Sequence, residues 1–106
     1  MERQKRFVSE ETLTVLRNAG IIDTNKLVTI IDCVVWFAKH HIAIITDYCD
    51  ITNEWDVLAC GRVPGTKEPR RSQSYVEAMN AAIRDAADEY IKSSQLKNEN
   101  SDDIKI

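Results

Sequence analysis

The clearest pattern of apolar and polar positions lies between residues 74 and 92. Ser74, followed three residues later by Glu77, forms a capping-box motif, which is typical of a helix N-terminus. Apolar side chains then recur at the spacing of one helix face. The members of this face are Tyr75, Ala78, Met79, Ala82, Ile83, Ala86, Tyr90 and Ile91. Because small alanine side chains run down its middle, we expect this helix to lie close to a sheet.

A shorter helix is predicted near the start of the chain. Ser9 is a favourable N-cap, and the acidic residues 10 and 11 follow it at the positive end of the helix dipole. Val8 and Leu13 have the spacing of a hydrophobic staple across that cap. Gly20 stands where a glycine commonly ends a helix, so the pattern indicates a helix from about residue 10 to residue 19.

The segment from residue 24 to residue 41 suits two interpretations. Its β-branched residues favour a strand. Five apolar residues, however, keep helical spacing over more than three turns, which is too long for a typical strand. These five are Leu27, Ile31, Val34, Val35 and Ala38. We therefore predict a helix, capped by Asp23 or Thr24, with these five residues facing the core. Ile30 and Phe37 lie on the flanks of this wide apolar arc, so we expect the helix to be largely buried.

Trp36 falls near the centre of the opposite face of that predicted helix. An exposed tryptophan is a good anchor for a partner protein, so Trp36 is a candidate protein contact. The alternative is that Trp36 completes the core, as large aromatic side chains often do in a small domain.

Two strands are predicted next, over residues 42–48 and 55–63, joined by turn residues. Residues 66–73 are open to a short third strand. The whole pattern predicts an α+β fold in the order α-α-β-β-α, with a small antiparallel sheet of two or three strands covered on one face by helices. We expect a single domain over residues 1–93 and a polar, disordered tail over 94–106. A hairpin alone is marginally stable, so pairing with another copy in a homodimer is also open.

Charge and composition exclude some partners. The net charge of −3 gives no overall basic field for nucleic acid or anionic membrane. No apolar run approaches the roughly 18 residues of a membrane span, and the N-terminus lacks the pattern of a secretory signal. Three cysteines without close spacing suit a reducing compartment. We expect a cytoplasmic protein with no membrane contact.

One basic loop is a candidate binding site. Its members are Arg62, Lys67, Arg70 and Arg71. They precede a helix N-terminus, whose free amides favour anions such as phosphate or a nucleic acid backbone. The loop has no aromatic residue for base stacking and no glycine-rich phosphate motif. A solvated loop is the favoured interpretation, and nucleic-acid or anion binding is the alternative.

Metal binding and catalysis are not favoured. The possible zinc ligands are His40, His41, Cys49 and Cys60. They lack the spacing of a zinc site, and as a cysteine–histidine nucleophile pair they lack an orienting group. Four carboxylates cluster near the predicted turn, where solvation is the simpler explanation. These are Asp47, Asp50, Glu54 and Asp56. We expect no cofactor, no metal and no enzymatic activity.

Two parts of the chain resemble small uncharacterised proteins encoded by phages and mobile elements of gut bacteria. Residues 7–20 resemble the opening of those proteins. Their later part is similar to Val35-Trp36-Phe37, His41-Ile42-Ala43-Ile44, and Ser74-Tyr75-Val76-Glu77-Ala78 through Ala81-Ala82-Ile83. The chain lacks the insert that this family often has after Gly20, and the spacing from Trp36 to Ile42 is one residue short. The resemblance implies a lineage and a fold, and no reaction.

The end of the chain also resembles HicB-type antitoxins, in which a sheet precedes a helix rich in Glu-Ala and Asn-Ala pairs. Glu77-Ala78 and Asn80-Ala81 match this pattern, whereas the family's initial strand is not found in order. That resemblance implies a toxin protein and often DNA as partners. Our main hypothesis is a non-enzymatic protein of phage or mobile-element origin that binds another protein or itself.

Overall fold

A computed structural model describes residues 7–22, 28–61 and 68–104, with side chains described as far as Ser94. Three helices and three strands lie in these ranges. They are α1 (Glu10–Asn18), α2 (Ile30–Lys39), β1 (Ala43–Cys49), β2 (Glu54–Cys60), β3 (Arg70–Ser72) and α3 (Tyr75–Ile104). The α+β prediction is confirmed, and the short third strand is present.

The sheet is antiparallel, in the order β1-β2-β3. Residues on β1 and β2 pair from Ala43 opposite Cys60 to Cys49 opposite Glu54. This register places Val57 and Ala59 on the face that is buried against α3. On the other face, Ile45 lies opposite Leu58 and is 51% exposed. Helix packing therefore stabilises one face of the sheet.

Helix α1 begins and ends as its sequence indicates. The hydroxyl of Ser9 accepts a hydrogen bond from the Thr12 amide at 3.2 Å, and both staple residues are buried in the core. Gly20 has a φ of 76°, the left-handed conformation that glycine adopts without a steric penalty. The Gly20 amide donates to the Arg17 carbonyl at 3.0 Å, and the Ile21 amide donates to the Leu16 carbonyl at 3.0 Å. These bonds form a Schellman motif.

Helix α2 starts later than predicted. Its N-cap is Thr29, whose hydroxyl accepts from the Asp32 amide at 3.0 Å. The Asp32 carboxylate accepts in turn from the Thr29 amide at 3.3 Å, which completes a capping box. The predicted caps Asp23 and Thr24 lie outside the described residues, but Val28 is not helical, so the predicted start at residue 24 is wrong.

Helix α3 covers the sheet with its alanine-lined face. The fully or nearly fully buried apolar residues of this helix are Ala78, Met79, Ala82, Ile83, Ala86 and Ala87. Tyr75 and Tyr90 are partly buried against the same core, whereas Ile91 is 38% exposed, so its predicted place in the core is wrong. The predicted close approach of helix and sheet is therefore observed.

The N-cap of α3 differs from the predicted capping box in one bond. The Ser74 hydroxyl accepts from the Glu77 amide at 3.2 Å, as expected. The Glu77 carboxylate, however, accepts from the Ser72 hydroxyl at 3.1 Å, and the Ser72 hydroxyl accepts from the Ser74 amide at 3.0 Å. The Ser72 hydroxyl of β3 thus bridges the Ser74 amide and the Glu77 carboxylate, which the capping box would have joined directly.

The backbone of α3 continues to Ile104, well past the last residue of its apolar face. Only Leu96 is apolar between residues 92 and 103, so the sequence offers this extension no continuous face to pack. The single domain over residues 1–93 and the disordered tail over 94–106 stay predictions.

Candidate interaction surface

The outer face of α2 carries exposed apolar side chains. Ile31 is 71% exposed and Val35 is 46% exposed, and Ala38 is exposed one turn further on. Their spacing of four and three residues places them on one face of the helix. Phe7, which forms an antiparallel bridge with Thr29 beside the start of α2, is 40% exposed. We call Ile31, Val35 and Ala38 the outer stripe.

The buried face of α2 is displaced from the predicted centre towards Ile30 and Phe37, which the prediction placed on the flanks of the apolar arc. Ile30, Cys33 and Phe37 are buried, at 2%, 4% and 0% exposure. Of the five residues predicted to face the core, Leu27 lies outside the described residues, Val34 is partly buried, and the other three form the outer stripe. The prediction was wrong because α2 is apolar on both sides, and helical spacing alone does not choose between the two faces.

The C-terminal end of α2 fixes which side faces inward. His41 has a φ of 67°, so the chain reverses there in a left-handed conformation. The His41 amide donates to the Ala38 carbonyl at 3.1 Å, and the Ile42 amide donates to the Phe37 carbonyl at 2.9 Å. In this motif the residue after the turn packs on the last turn of the helix. Ile42 and Phe37 are both buried, at 1% and 0% exposure, so the motif directs Phe37 into the core.

Trp36 is partly buried and packs against the core, between the exposed and the core interpretations that the sequence leaves open. Its indole stacks on the His40 ring, with centroids 3.7 Å apart, and meets Tyr90 of α3 edge-to-face at 5.1 Å. A nitrogen of His40, Nδ1, lies 2.8 Å from the Trp36 carbonyl oxygen. These rings connect α2 to α3. The role of Trp36 as a contact with another protein stays a prediction.

The described arginines of the basic loop are paired with carboxylates. Arg70 donates two hydrogen bonds to Asp85 of α3, from Nε at 2.8 Å and from Nη2 at 2.9 Å. This pairing, the largest cause, raises the pKa of Arg70. Arg71 donates from Nε to Asp56 of β2 at 2.9 Å. Arg62 and Lys67 lie outside the described residues.

The two ion pairs lie on opposite faces of β3. Successive side chains of a strand point to opposite sides, so Arg70 joins the helix side and Arg71 the open side of the sheet. The two described cations therefore do not converge on one anion. Anion or nucleic-acid binding by the basic loop stays a prediction, and the geometry of Arg70 and Arg71 adds no support to it.

A shallow groove of about 630 Å³ lies between the start of α1, β3 and the first half of α3. Its polar lining is already engaged in bonds within the domain. Asn80 accepts from the Ser9 amide at 2.8 Å and donates to the Val76 carbonyl at 2.8 Å. Arg84 donates to the Thr12 hydroxyl at 3.0 Å. The described bonds stabilise the packing of α1 on α3 and present no convergent reactive groups.

The candidate zinc ligands are not brought together. Cys49 lies next to the turn of the hairpin, and Cys60 lies at the other end of the strand pair. The two residues are therefore about 20 Å apart along the strands. Among the residues that the structure describes, no three or more histidine, cysteine, aspartate or glutamate side chains could hold a metal ion. The Cys49 thiol has a lowered pKa because the Thr52 side chain and the amides of the turn hydrogen-bond to it.

Of the candidate carboxylates, Asp47 and Asp56 lie directly opposite each other on β1 and β2. Asp47 accepts from the Tyr48 amide at 2.9 Å, and Asp56 holds Arg71. The sequence pattern did not single out Glu89 of α3, a carboxylate that is only 1% exposed. A Cβ atom at Gly61 would lie 2.5 Å from Glu89 Cγ. Gly61, inside the predicted strand 55–63, was the one sequence signal of this close approach.

Comparison with known proteins gives no relative. No family model, no curated protein and no solved structure matches the chain. Within the described residues, none of the helices combines the length and the apolar character needed to cross a membrane.

Proposed function

We propose that this protein is a non-enzymatic protein-interaction domain that binds its partner through the outer stripe of α2. The exposure of Ile31 and Val35, at 71% and 46%, is the observation that carries this proposal. Both side chains belong to a helix whose opposite face is already packed into the core, so the domain itself leaves them in water.

Physical chemistry supports this interpretation. A helix face lined by apolar residues is normally buried against another element. A contiguous exposed apolar surface on a small protein commonly marks a site of protein contact. Residues at the spacing of Ile31, Val35 and Ala38 are also the usual anchors where a helix packs against a partner. The outer stripe therefore has the arrangement of an interaction surface.

The wider context of the proposal comes from the sequence. Origin in a phage or mobile element is supported by the resemblance of residues 7–20 and 74–83. A cytoplasmic location is supported by three cysteines without the spacing of a disulfide framework. The separation of Cys49 from Cys60 and the ion pair that engages Asp56 support a non-enzymatic role, because catalysis needs reactive groups that are together and accessible.

Binding by matched variants tests the proposal. We expect the Ile31→Gln/Val35→Gln variant to bind partner proteins, including purified copies of this chain, at least tenfold more weakly than wild type. The control is Ile51→Gln/Ile91→Gln, which changes two exposed isoleucines at 91% and 38% exposure outside α2. Circular dichroism checks that both variants are folded.

Two results would contradict the proposal. The first is a partner that the α2 variant and the control bind equally well. The second is turnover of a phosphate or acyl substrate by purified wild type, with loss of turnover on substitution of Asp47, Asp56 or Cys60.

A further inference from the structure

We infer that the outer stripe binds a second copy of this chain, with the two α2 helices antiparallel about a two-fold axis close to Val35. This inference rests on the proposed function and adds the identity of the partner. It follows from the placement of two charges beside the outer stripe.

Asp32 and Lys39 flank the outer stripe on one side. Asp32 stands three residues before Val35 and Lys39 stands four residues after it, and both are exposed. At 100° per residue their directions on the helix differ by only about 20°. A positive and a negative charge therefore lie on the same edge of the stripe, at nearly equal distances from its centre.

A two-fold axis near Val35 brings these charges together in opposite pairs. In an antiparallel arrangement the N-terminal half of one helix faces the C-terminal half of the other, so Asp32 of each copy lies beside Lys39 of the other. A parallel two-fold arrangement would place the charges of the two copies on opposite edges of the contact, where they could not pair. The antiparallel pair also sets opposite helix dipoles side by side. The charge pattern of α2 is thus complementary to itself in one orientation only.

The apolar residues suit the same axis. Val35 of one copy meets Val35 of the other, and Ile31 lies towards Ala38 of the second helix. A two-fold contact of this kind uses the same surface on both subunits, which is the commonest symmetry of protein dimers. An unrelated partner would need its own matching pattern of charges, whereas a second copy already has one.

The contact is small. A ten-residue helix is about 15 Å long, so its face is smaller than the roughly 800 Å² per partner of a stable interface. We therefore expect a weak dimer whose population depends on protein concentration. The ion pairs contribute orientation more than affinity, because exposed pairs are individually weak.

Sedimentation equilibrium of the full chain, from about 10 µM to about 1 mM, tests the inference. We expect the average mass to rise from 12.1 kDa towards twice that value. The Ile31→Gln/Val35→Gln variant should stay monomeric, and the Ile51→Gln/Ile91→Gln control should associate like wild type.

Charge variants test the orientation. Lys39→Glu and Asp32→Lys each turn two attractive pairs into repulsive ones, so each variant alone should associate roughly tenfold more weakly. Because Asp32→Lys also removes half of the α2 capping box, the charge effect is measured by Lys39→Glu and by the mixture of the two variants. An equimolar mixture of the two should recover association, because opposite charges then face each other at both positions. A Val35→Cys variant in a Cys49→Ser/Cys60→Ser background retains the native Asp32 cap. It should form a disulfide-linked dimer on mild oxidation.

The outcomes separate this inference from the proposed function. Wild type that stays monomeric at 1 mM, or a dimer unaffected by the Ile31→Gln/Val35→Gln change, overturns the inference. If wild type is monomeric and another protein binds it in an α2-dependent manner, the proposed function stands and only the second copy is excluded. If nothing binds through α2, both fail.

Discussion

Helices α2 and α3 both pack on the sheet, but their sequences define their orientation to different degrees. On α3 the apolar residues form one stripe bordered by charged residues such as Arg84 and Asp88, so only one face can be buried at low cost. On α2 both Phe37 and Val35 lie on apolar faces, and the structure buries only the first. The comparison teaches that apolar spacing predicts a helix, whereas the contrast between its faces predicts its orientation.

The largest expected effect is the difference in stability between substitutions on the buried face and on the exposed face of α2. Phe37→Ala removes a fully buried ring, and we expect it to lower the free energy of unfolding by about 3–5 kcal/mol. Val35→Ala on the outer stripe should change it by less than about 0.5 kcal/mol in dilute monomer. Urea denaturation monitored by circular dichroism measures both. Equal losses would show that the assigned faces of α2 are wrong.

A second prediction concerns the close contact of α3 with the sheet. Ala86 is fully buried, so Ala86→Leu should overpack the interface and cost about 1–3 kcal/mol. Ala81→Leu, a partly buried position on the wall of the groove, is the control and should cost less. Thermal unfolding compares the two variants. If Ala86→Leu is tolerated as well as Ala81→Leu, the helix does not lie as close as described.

A third prediction uses Cys33 as a reporter of the orientation of α2. Burial, with a smaller effect of Asp32, raises the pKa of this thiol from 9.0 to about 12. The unfolded thiol therefore loses its proton first as pH rises, and the unfolded chain then binds fewer protons than the folded one. Stability contributed by the buried neutral thiol is present below pH 9 and is lost between about pH 9 and about pH 12.

The expected slope from this group is at most about 1.4 kcal/mol per pH unit. Urea denaturation of wild type and Cys33→Ala across this pH range isolates it as the difference between the two curves. At pH 8 a disulfide reagent should modify Cys49 and Cys60 well before Cys33. Rapid modification of Cys33 in folded protein would support the opposite orientation of α2.

The smallest effect concerns the end of α2. His41 adopts the left-handed conformation that Gly20 adopts after α1, and a side chain with a Cβ is strained there. His41→Gly should raise the free energy of unfolding by about 0.5–1 kcal/mol, whereas Gly20→Ala should lower it by about 1–2 kcal/mol. A decrease for His41→Gly would mean that the His41 side chain stabilises the turn by contacts of its own.

The sequence allowed prediction of the elements that carry local signals. Ser9 and Gly20 mark the two ends of α1, and Ser74 is the N-cap of α3. These ends could be predicted because capping depends on residues that are close in the sequence. The start of α2 was missed because Asp23 and Thr24 offered an earlier cap and Leu27 extended the helical spacing, whereas Thr29 and Asp32 form the actual capping box. Local signals explain most of the element order.

Long-range contacts were not predictable in the same way. Nothing local to Arg70 indicates that it pairs with Asp85, 15 residues away. Nor does the spacing around Trp36 show that its indole contacts Tyr90. Of the candidate site residues, Arg62 and Lys67 lie outside the described residues, and the outer stripe became visible only when the inner face of α2 was known.

The three-residue strand β3 is attached to α3 at both of its ends. Arg70 binds Asp85 about three turns into the helix, and Ser72 belongs to the hydrogen-bond network at the start of the helix. Strand and helix should consequently open as one cooperative unit, so their amide hydrogens are expected to exchange with solvent at a common rate that differs from that of the hairpin tip.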